Sequence, residues 1–286
     1  MTVPEESRLT VTLIARDEED RLPAALASVA WADEIVVVMD AATTDRTARI
    51  AEEAGARVLV RAFDGFGTQK NAAAALATHR WILSIDADEI VSKALALEIR
   101  DRLATVAAEK SSPAAFRVPI RLEFLGRELR FGRGTLVRPL RLYDRTRARF
   151  SENPIHEKVI ADDPVEALDE TILHRSYRDL AHYLEKLDRY TTLGAEAKWA
   201  DGKRGDGFLP VRVLWEFFDR AFLRLGFLDG SAGLTFAALS SANTLLKYLK
   251  LRELERAITR GERTLPAGTM IKDTATRAVH ALPGAC

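Results

Sequence analysis

The chain has 286 residues, 47% of them hydrophobic and 29% charged, which is ample for one sizeable α/β core with an appendage. Its 42 Lys plus Arg balance 42 Asp plus Glu, so the basic excess of a general nucleic-acid binder is missing and no nucleic-acid partner is expected. The single cysteine, Cys286, excludes an internal disulfide or a cysteine metal cluster.

The N-terminus, Met1 to Arg8, is polar and acidic and has no apolar run for a signal peptide, so a cytoplasmic location is expected. Strand and helix signals then alternate. Leu9 to Ala15 is β-rich, and Leu22 to Val29 reads as a short helix. Glu34 to Met39, with its Ile-Val-Val-Val, reads as a buried strand. Asp45 to Ala54 reads as a helix stopped at Gly55, and Arg57 to Val60 as a short strand. Thr68 to Thr78 is an Ala-rich helix, Trp81 to Ile85 a strand, and Lys93 to Val106 a helix. Such alternation predicts an open, mostly parallel sheet with helices on both faces.

Near Ser111 to Pro113 the pattern changes. Phe116 to Val159 reads as short extended pieces broken by Gly, Pro and Arg. From Ser176 helical spacing returns, with Ser176 and Asp179 resembling a capping box. Between Val211 and Leu225, four-residue spacing gathers most of Arg212, Glu216, Asp219, Arg220 and Arg224 on one face. Val211, Leu214, Trp215, Phe218, Phe222 and Leu225 fall on the other, which predicts a strongly amphipathic helix. Gly230 to Leu246 is free of charge but short for a membrane span, which needs ~20 mostly apolar residues. Lys247, Lys250, Arg252, Arg256 and Arg260 follow it. From Gly261 onward little apolar periodicity remains, and loose order is expected.

Ligands of open parallel sheets bind beyond the carboxyl ends of the strands, and here those ends are acidic. The first strand runs into Arg16-Asp17-Glu18-Glu19, the second into Asp40, and the one from Trp81 into Asp86-Ala87-Asp88-Glu89. A dinucleotide site would carry a Gly-rich turn after the first strand instead. Bare carboxylates repel a diphosphate, but a divalent metal binds carboxylate oxygens on one side and phosphate oxygens on the other. Asp88 is read as the metal ligand and Asp86 as the partner of the nucleotide. Asp45 is read as a helix cap, and Asp17, Glu19 and Asp20 as a solvated loop. Gly65-Phe66-Gly67 precedes Lys70 at the start of a helix, a place that favours an anion. Gly132-Arg133-Gly134 is either a flexible loop over the site or an ordinary turn.

Five segments together resemble family-2 inverting glycosyltransferases of the GT-A fold. They are Leu-Ile-Ala-Arg-Asp-Glu-Glu (13–19), Trp-Ala-Asp-Glu-Ile-Val-Val-Val (31–38) and Asp-Ala-Ala-Thr-Thr-Asp-Arg-Thr (40–47), then Phe-Asp-Gly-Phe-Gly-Thr-Gln-Lys-Asn (63–71) and Trp-Ile-Leu-Ser-Ile-Asp-Ala-Asp-Glu (81–89). Within that family the chain is similar to the lipopolysaccharide-core β-glucosyltransferase group. The similarity continues more weakly through Asn-Pro-Ile-His-Glu-Lys (153–158) and Leu-Gly-Phe-Leu-Asp-Gly (225–230). It departs at Asp17, where the family usually has Asn, and at Thr44, where it usually has Ser.

The resemblance implies a metal-dependent inverting hexosyltransferase. The donor would be a UDP-sugar, with glucose as the expected sugar, and the acceptor a lipid-linked glycan such as a lipopolysaccharide inner core. Polyprenyl phosphate or a capsule or exopolysaccharide precursor is the alternative acceptor, and a non-catalytic sugar-nucleotide or lipid-binding protein the alternative class. Ala15 (through its backbone), Glu18 and Asp40 would contact the nucleoside. Lys70 would lie near the base or phosphates, and Asp86 near the ribose or metal shell. Asp88 would ligate Mn2+ or Mg2+, with His174 added to the shell. Glu157 is taken as the base for the acceptor hydroxyl, ahead of Asp144 and Glu152. His156 either orients the acceptor or Glu157, or is a loop histidine bonded to backbone; His79, His182 and His280 read as structural or exposed.

Residues 1–110 are then the nucleotide-sugar half, 111–207 the acceptor half, 208–260 a helical extension and 261–286 a tail. The extension either packs on the sheet or forms a dimer contact, or it lies in the membrane interface. A lipid-linked acceptor favours the second, with the protein peripheral on the inner face of the cytoplasmic membrane.

Overall fold

The computed structural model describes residues 5–107, 112–151, 157–204 and 208–262. Two compact units emerge: unit 1 is Met1–Arg121 with Val137–Arg175, and unit 2 is Leu122–Leu136 with Ser176–Cys286. Glu152, His156 and His280 lie outside the described residues.

Unit 1 begins with the predicted alternation. Strand β1 is Leu9–Ala15, helix α1 Leu22–Ser28, β2 Glu34–Asp40, α2 Thr47–Glu53, β3 Arg57–Arg61, α3 Phe66–Leu76 and β4 Trp81–Asp86. A short β5, Glu89–Val91, follows without a sequence signal of its own, then α4, Lys93–Val106, and β6, Ala115–Arg117. The main sheet has seven strands, in the order Val165–Ala167, β6, Leu140–Asp144, β4, β1, β2, β3. Its left-to-right core of β4, β1, β2 and β3 is parallel, and Leu140–Asp144 runs antiparallel beside β4.

Both faces of this sheet are covered, and β2 shows how. Alternate side chains of a strand point to opposite faces. Val37 and Met39 join a buried cluster with Leu26 of α1 and Leu95 and Ile99 of α4. Val36 and Val38 pack instead with Ala73 of α3. The run of Val on β2 is therefore continuous because neither face meets water. This is the mixed α/β architecture expected from the sequence, with a large sheet flanked by helices.

Unit 2 holds the helices of the C-terminal region: α5 (Leu180–Ala200), α6 (Leu209–Phe218) and α7 (Gly230–Thr259). Here the capping expectation shifts by three residues. Asp179, not Ser176, is the N-cap of α5, its carboxylate accepting from His182 N at 2.8 Å. Ser176 is buried instead. A tight turn at Leu125 and Gly126, both at positive φ, joins the paired residues Phe124 and Arg127. Phe124, Tyr183, Leu187 and Phe236 then form one apolar cluster across this unit.

Candidate active site

Parallel pairing sets the acidic rim. Ile14 lies opposite Asp86 and Ala15 opposite Met39, so the ends of β1, β2 and β4 line up on one edge. Asp40 at the end of β2 is buried, accepting from Arg16 Nη1 at 3.2 Å and from Ala42 N at 2.9 Å. Glu18 is paired with Arg21 at 2.6 Å, and Arg21 reaches on to Asp88 Oδ2 at 3.1 Å. Glu18 is thus tied to Asp88 through one guanidinium.

Asp86 and Asp88 take different partners. Asp86 Oδ1 lies 3.0 Å from Lys70 Nζ, and its Oδ2 accepts from Arg141 Nη2 at 3.0 Å. Burial raises its affinity for a proton, but the Lys70 and Arg141 charges outweigh burial and hold the carboxyl well below the usual range. Asp88 Oδ1 lies 3.3 Å from His174 Nε2. Burial works against the Asp88 charge, yet the contacts with His174 and Arg21 keep its acidity increased. His174 is affected in the opposite sense: burial lowers its pKa, but Asp88, Glu89 and Asp86 together raise it by more. β5 delivers this histidine, because His174 pairs with Glu89 across an antiparallel step.

Lys70 is buried in the second turn of α3, and Glu157 Oε1 stands 3.6 Å from its Nζ. The glycines before it have separate reasons. Gly65 takes φ +128°, and a Cβ on Gly67 would sit 2.1 Å from Ser151 O. Gly67 therefore lets the start of α3 close on the segment that carries Glu157. Asn71 secures the same approach by exchanging hydrogen bonds with the Phe150 backbone at 3.0 and 2.9 Å.

Five sequence-named residues are thus brought together: Lys70, Asp86, Asp88, Glu157 and His174. Ala15, Glu18 and Asp40 share their rim. Two other residues, Arg21 and Arg141, were not foreseen, and Glu89 was read as part of the acidic rim with no role of its own. Arg21 links Glu18 to Asp88, and Arg141 bridges Asp86 to Glu89 Oε1, the latter at 2.8 Å. Glu89 is buried, its pKa raised by burial, and it accepts from Asp86 N at 2.9 Å. Arg141 Nε is buried with no partner among the described residues. The only sequence hint was an Arg in an otherwise apolar strand, Leu-Arg-Leu-Tyr.

Several expectations are corrected. Asp144 cannot serve as a base, because it is fully buried and committed to Arg80 and Thr146. Asp17 and Glu19 do more than meet water: they accept from the backbone N–H of Thr44 and Arg46, at 2.8 and 3.0 Å. Asp45 does receive the first N–H of α2, from Thr47 at 2.9 Å. His79 is structural, buried and 3.3 Å from Glu5. His182 Nδ1 accepts from Arg178 N at 3.3 Å, beside the α5 cap.

The donor set suits a divalent cation only in part. Among the described residues no group of three or more His, Cys, Asp or Glu is arranged to hold a metal ion. Asp88 and His174 supply a carboxylate and an imidazole side by side. A hard divalent ion takes six or so ligands and readily keeps water and phosphate oxygens among them. Two protein donors are consistent with such a shell, completed by a diphosphate.

In an open, largely parallel sheet, charged side chains gathered beyond the strand ends lie where α/β proteins bind their ligands. Residues 10–106 match glycosyl transferase family 2, so that segment is a family-2 glycosyltransferase domain. An uncharacterized glycosyltransferase of Rickettsia felis is 28% identical to it, over 86% of this chain and 90% of its own. The lipopolysaccharide core biosynthesis glycosyltransferase LpsC of Rhizobium meliloti is 27% identical, over 85% of this chain and 94% of its own. The solved S. aureus TarS 1–349 in complex with UDP-GlcNAc aligns over 90% of this chain and 93% of its own, at 14% identity and a TM-score of 0.40. That last likeness is too low to carry an argument.

Proposed function

We propose that the protein is an inverting glycosyltransferase that moves glucose from UDP-glucose to a lipid-linked glycan of the lipopolysaccharide inner-core type. The observation that carries this reading is the meeting of Asp86, Asp88, Lys70 and Glu157 at one sheet rim. Similarity to a lipopolysaccharide-core enzyme supports the acceptor class.

In this reading Ala15, Glu18 and Asp40 bind the nucleoside. Lys70 and Arg141 offer positive charge to the diphosphate, and the unpartnered Arg141 Nε is a donor that an anionic ligand would satisfy. Asp88 and His174 would hold Mn2+ or Mg2+, which when bound supplies Lewis-acid neutralisation of the leaving diphosphate. Asp86, fixed by two cations, orients the nucleotide. Glu157 takes the proton of the acceptor hydroxyl as its oxygen bonds to the anomeric carbon and the bond to the diphosphate oxygen breaks. Attack opposite the leaving group inverts that carbon.

Purified protein incubated with manganese and UDP-glucose should release UDP, and a set of UDP-sugars identifies the preferred donor. No UDP release from any of them would overturn the reading. Glu157→Gln should keep donor affinity and lower transfer by roughly 100-fold or more, the scale of a lost general base. Near-normal turnover in that variant removes Glu157 from the role.

A further inference from the structure

Helix α6 and the π-helical turn after it, Asp219–Leu223, are inverted relative to a helix packed in water. Glu216, Asp219 and Arg220 of their polar face are turned into unit 2, while Arg212 and Arg224 keep exposed surface. Arg220 is buried, donating to Arg133 O at 2.7 Å and to Glu216 at 3.2 Å. Glu216 also accepts from Thr244, and Arg212 donates to Tyr248 Oη at 3.2 Å. The apolar face points outward: Leu214 is 70% exposed and Trp215 60%, with Val211, Phe218 and Phe222 exposed beside them. The 3-10 turn Gly226–Asp229 adds exposed Phe227 and Leu228. Surface helices ordinarily do the reverse, and a contiguous apolar patch of this kind marks a contact surface.

The charges around this patch choose its partner. Gly132 N donates to Arg224 O at 2.8 Å, and Asp229 accepts from Arg130 N and Phe131 N at 3.0 and 2.9 Å. Exposed Phe131 and the exposed Arg130, Arg133 and Arg224 are thereby tied beside the patch. The neighbouring acids are turned in: Asp229 is buried, and Asp219 lies 3.6 Å from Arg224. Glu128, 3.9 Å from Arg130, is the partly exposed exception. A second copy of the chain, docked by the same face, would oppose arginine to arginine.

We propose that this face of unit 2 inserts into the interface of an anionic lipid bilayer. Leu214, Trp215, Phe218 and Phe222 enter at the level of the upper acyl chains, and Arg130, Arg133 and Arg224 meet headgroup phosphates. The helix lies in the plane. Its 10 residues span only ~15 Å, about half of an ~30 Å hydrocarbon core. No single helix among the described residues is long and apolar enough to cross, and the helix pair that passes together is bent by 69°. The inference stands on unit 2 alone and does not depend on the sugar-transfer reading.

Co-sedimentation of the full chain with vesicles tests it. Phosphatidylglycerol-containing vesicles should bind, phosphatidylcholine vesicles should bind less, and salt should weaken the difference. Phe218→Glu should lower partitioning about tenfold or more while leaving the melting temperature unchanged, because the side chain is exposed. Arg224→Gln should lower it by up to about fivefold. Asp88→Asn should bind vesicles as the unaltered chain does, which separates this surface from the sugar-transfer site. Failure to bind anionic vesicles, or equal binding by Phe218→Glu, overturns the proposal. So does light scattering that shows a stable dimer split by Phe218→Glu with no vesicle binding.

Discussion

Asp86, Asp88 and Asp144 are all strand-end carboxylates, yet their surroundings give them three different fates. Asp144 is spent on Arg80 and Thr146. Asp86 is clamped by Lys70 and Arg141. Asp88 touches one imidazole and one guanidinium, and it is the member of the set whose exchange should alter cation binding most directly. Asp88→Asn keeps the shape and removes the charge. Calorimetric titration with UDP-glucose should show manganese strengthening binding to the unaltered chain and having little effect on the variant. An unchanged manganese effect would remove Asp88 from the metal role. The acids of this site were legible in the sequence because Asp-x-Asp-Glu ends a buried apolar strand, where packing alone does not call for charge. Of the cations, Lys70 was legible at the start of its helix, but Arg21 and Arg141 were not. Arg141 meets Asp86 across 55 residues, through an antiparallel register that pairs Leu142 with Leu83.

At the scale of elements, the alternation of strands and helices in the first hundred residues was readable almost to the residue. Apolar periodicity there is strong, and several elements are bounded by Gly, Asp or a charge. Short pieces were less readable. β5 has three residues, and its partner Ile172–His174 is supplied from far along the chain. The start of α5 was misplaced for a physical reason: Ser176 is buried, so Asp179 caps the helix by receiving the His182 N–H. Asp179→Ala should therefore destabilise the folded chain by about 1 kcal/mol, the usual cost of a lost N-cap. An unchanged denaturation midpoint would show that the cap contributes nothing. Helix α6 was correctly foreseen as amphipathic, but periodicity cannot say which face looks inward.

Across the whole molecule, stability and chemistry are anchored at opposite ends of one sheet. Glu34 begins β2, at the end away from Asp40. It accepts from Thr10 at 2.7 Å and Thr78 N at 2.6 Å, and it pairs with Arg57 at 2.6 Å. Burial opposes its charge, but these hydrogen bonds prevail and lower its pKa from 4.5 to about 2. A depressed carboxylate pKa stabilises the fold fully above the unfolded value and progressively less as pH falls through the folded one. Stability should therefore drop between pH 4.5 and about 2, and Glu34→Gln should flatten that drop. Parallel pH profiles of the two proteins in chemical denaturation would refute the assignment.

The amino-acid sequence by itself determined the layered α/β plan and the acidic strand ends, because both follow from local periodicity and from charge placed where burial is costly. It also determined the amphipathic pattern of α6. Only the tertiary structure decided which cations answer those acids, that Asp144 is structural, and that the apolar side of α6 faces outward. Each of these depends on register and packing between residues far apart in the chain, and no local window of sequence contains that information.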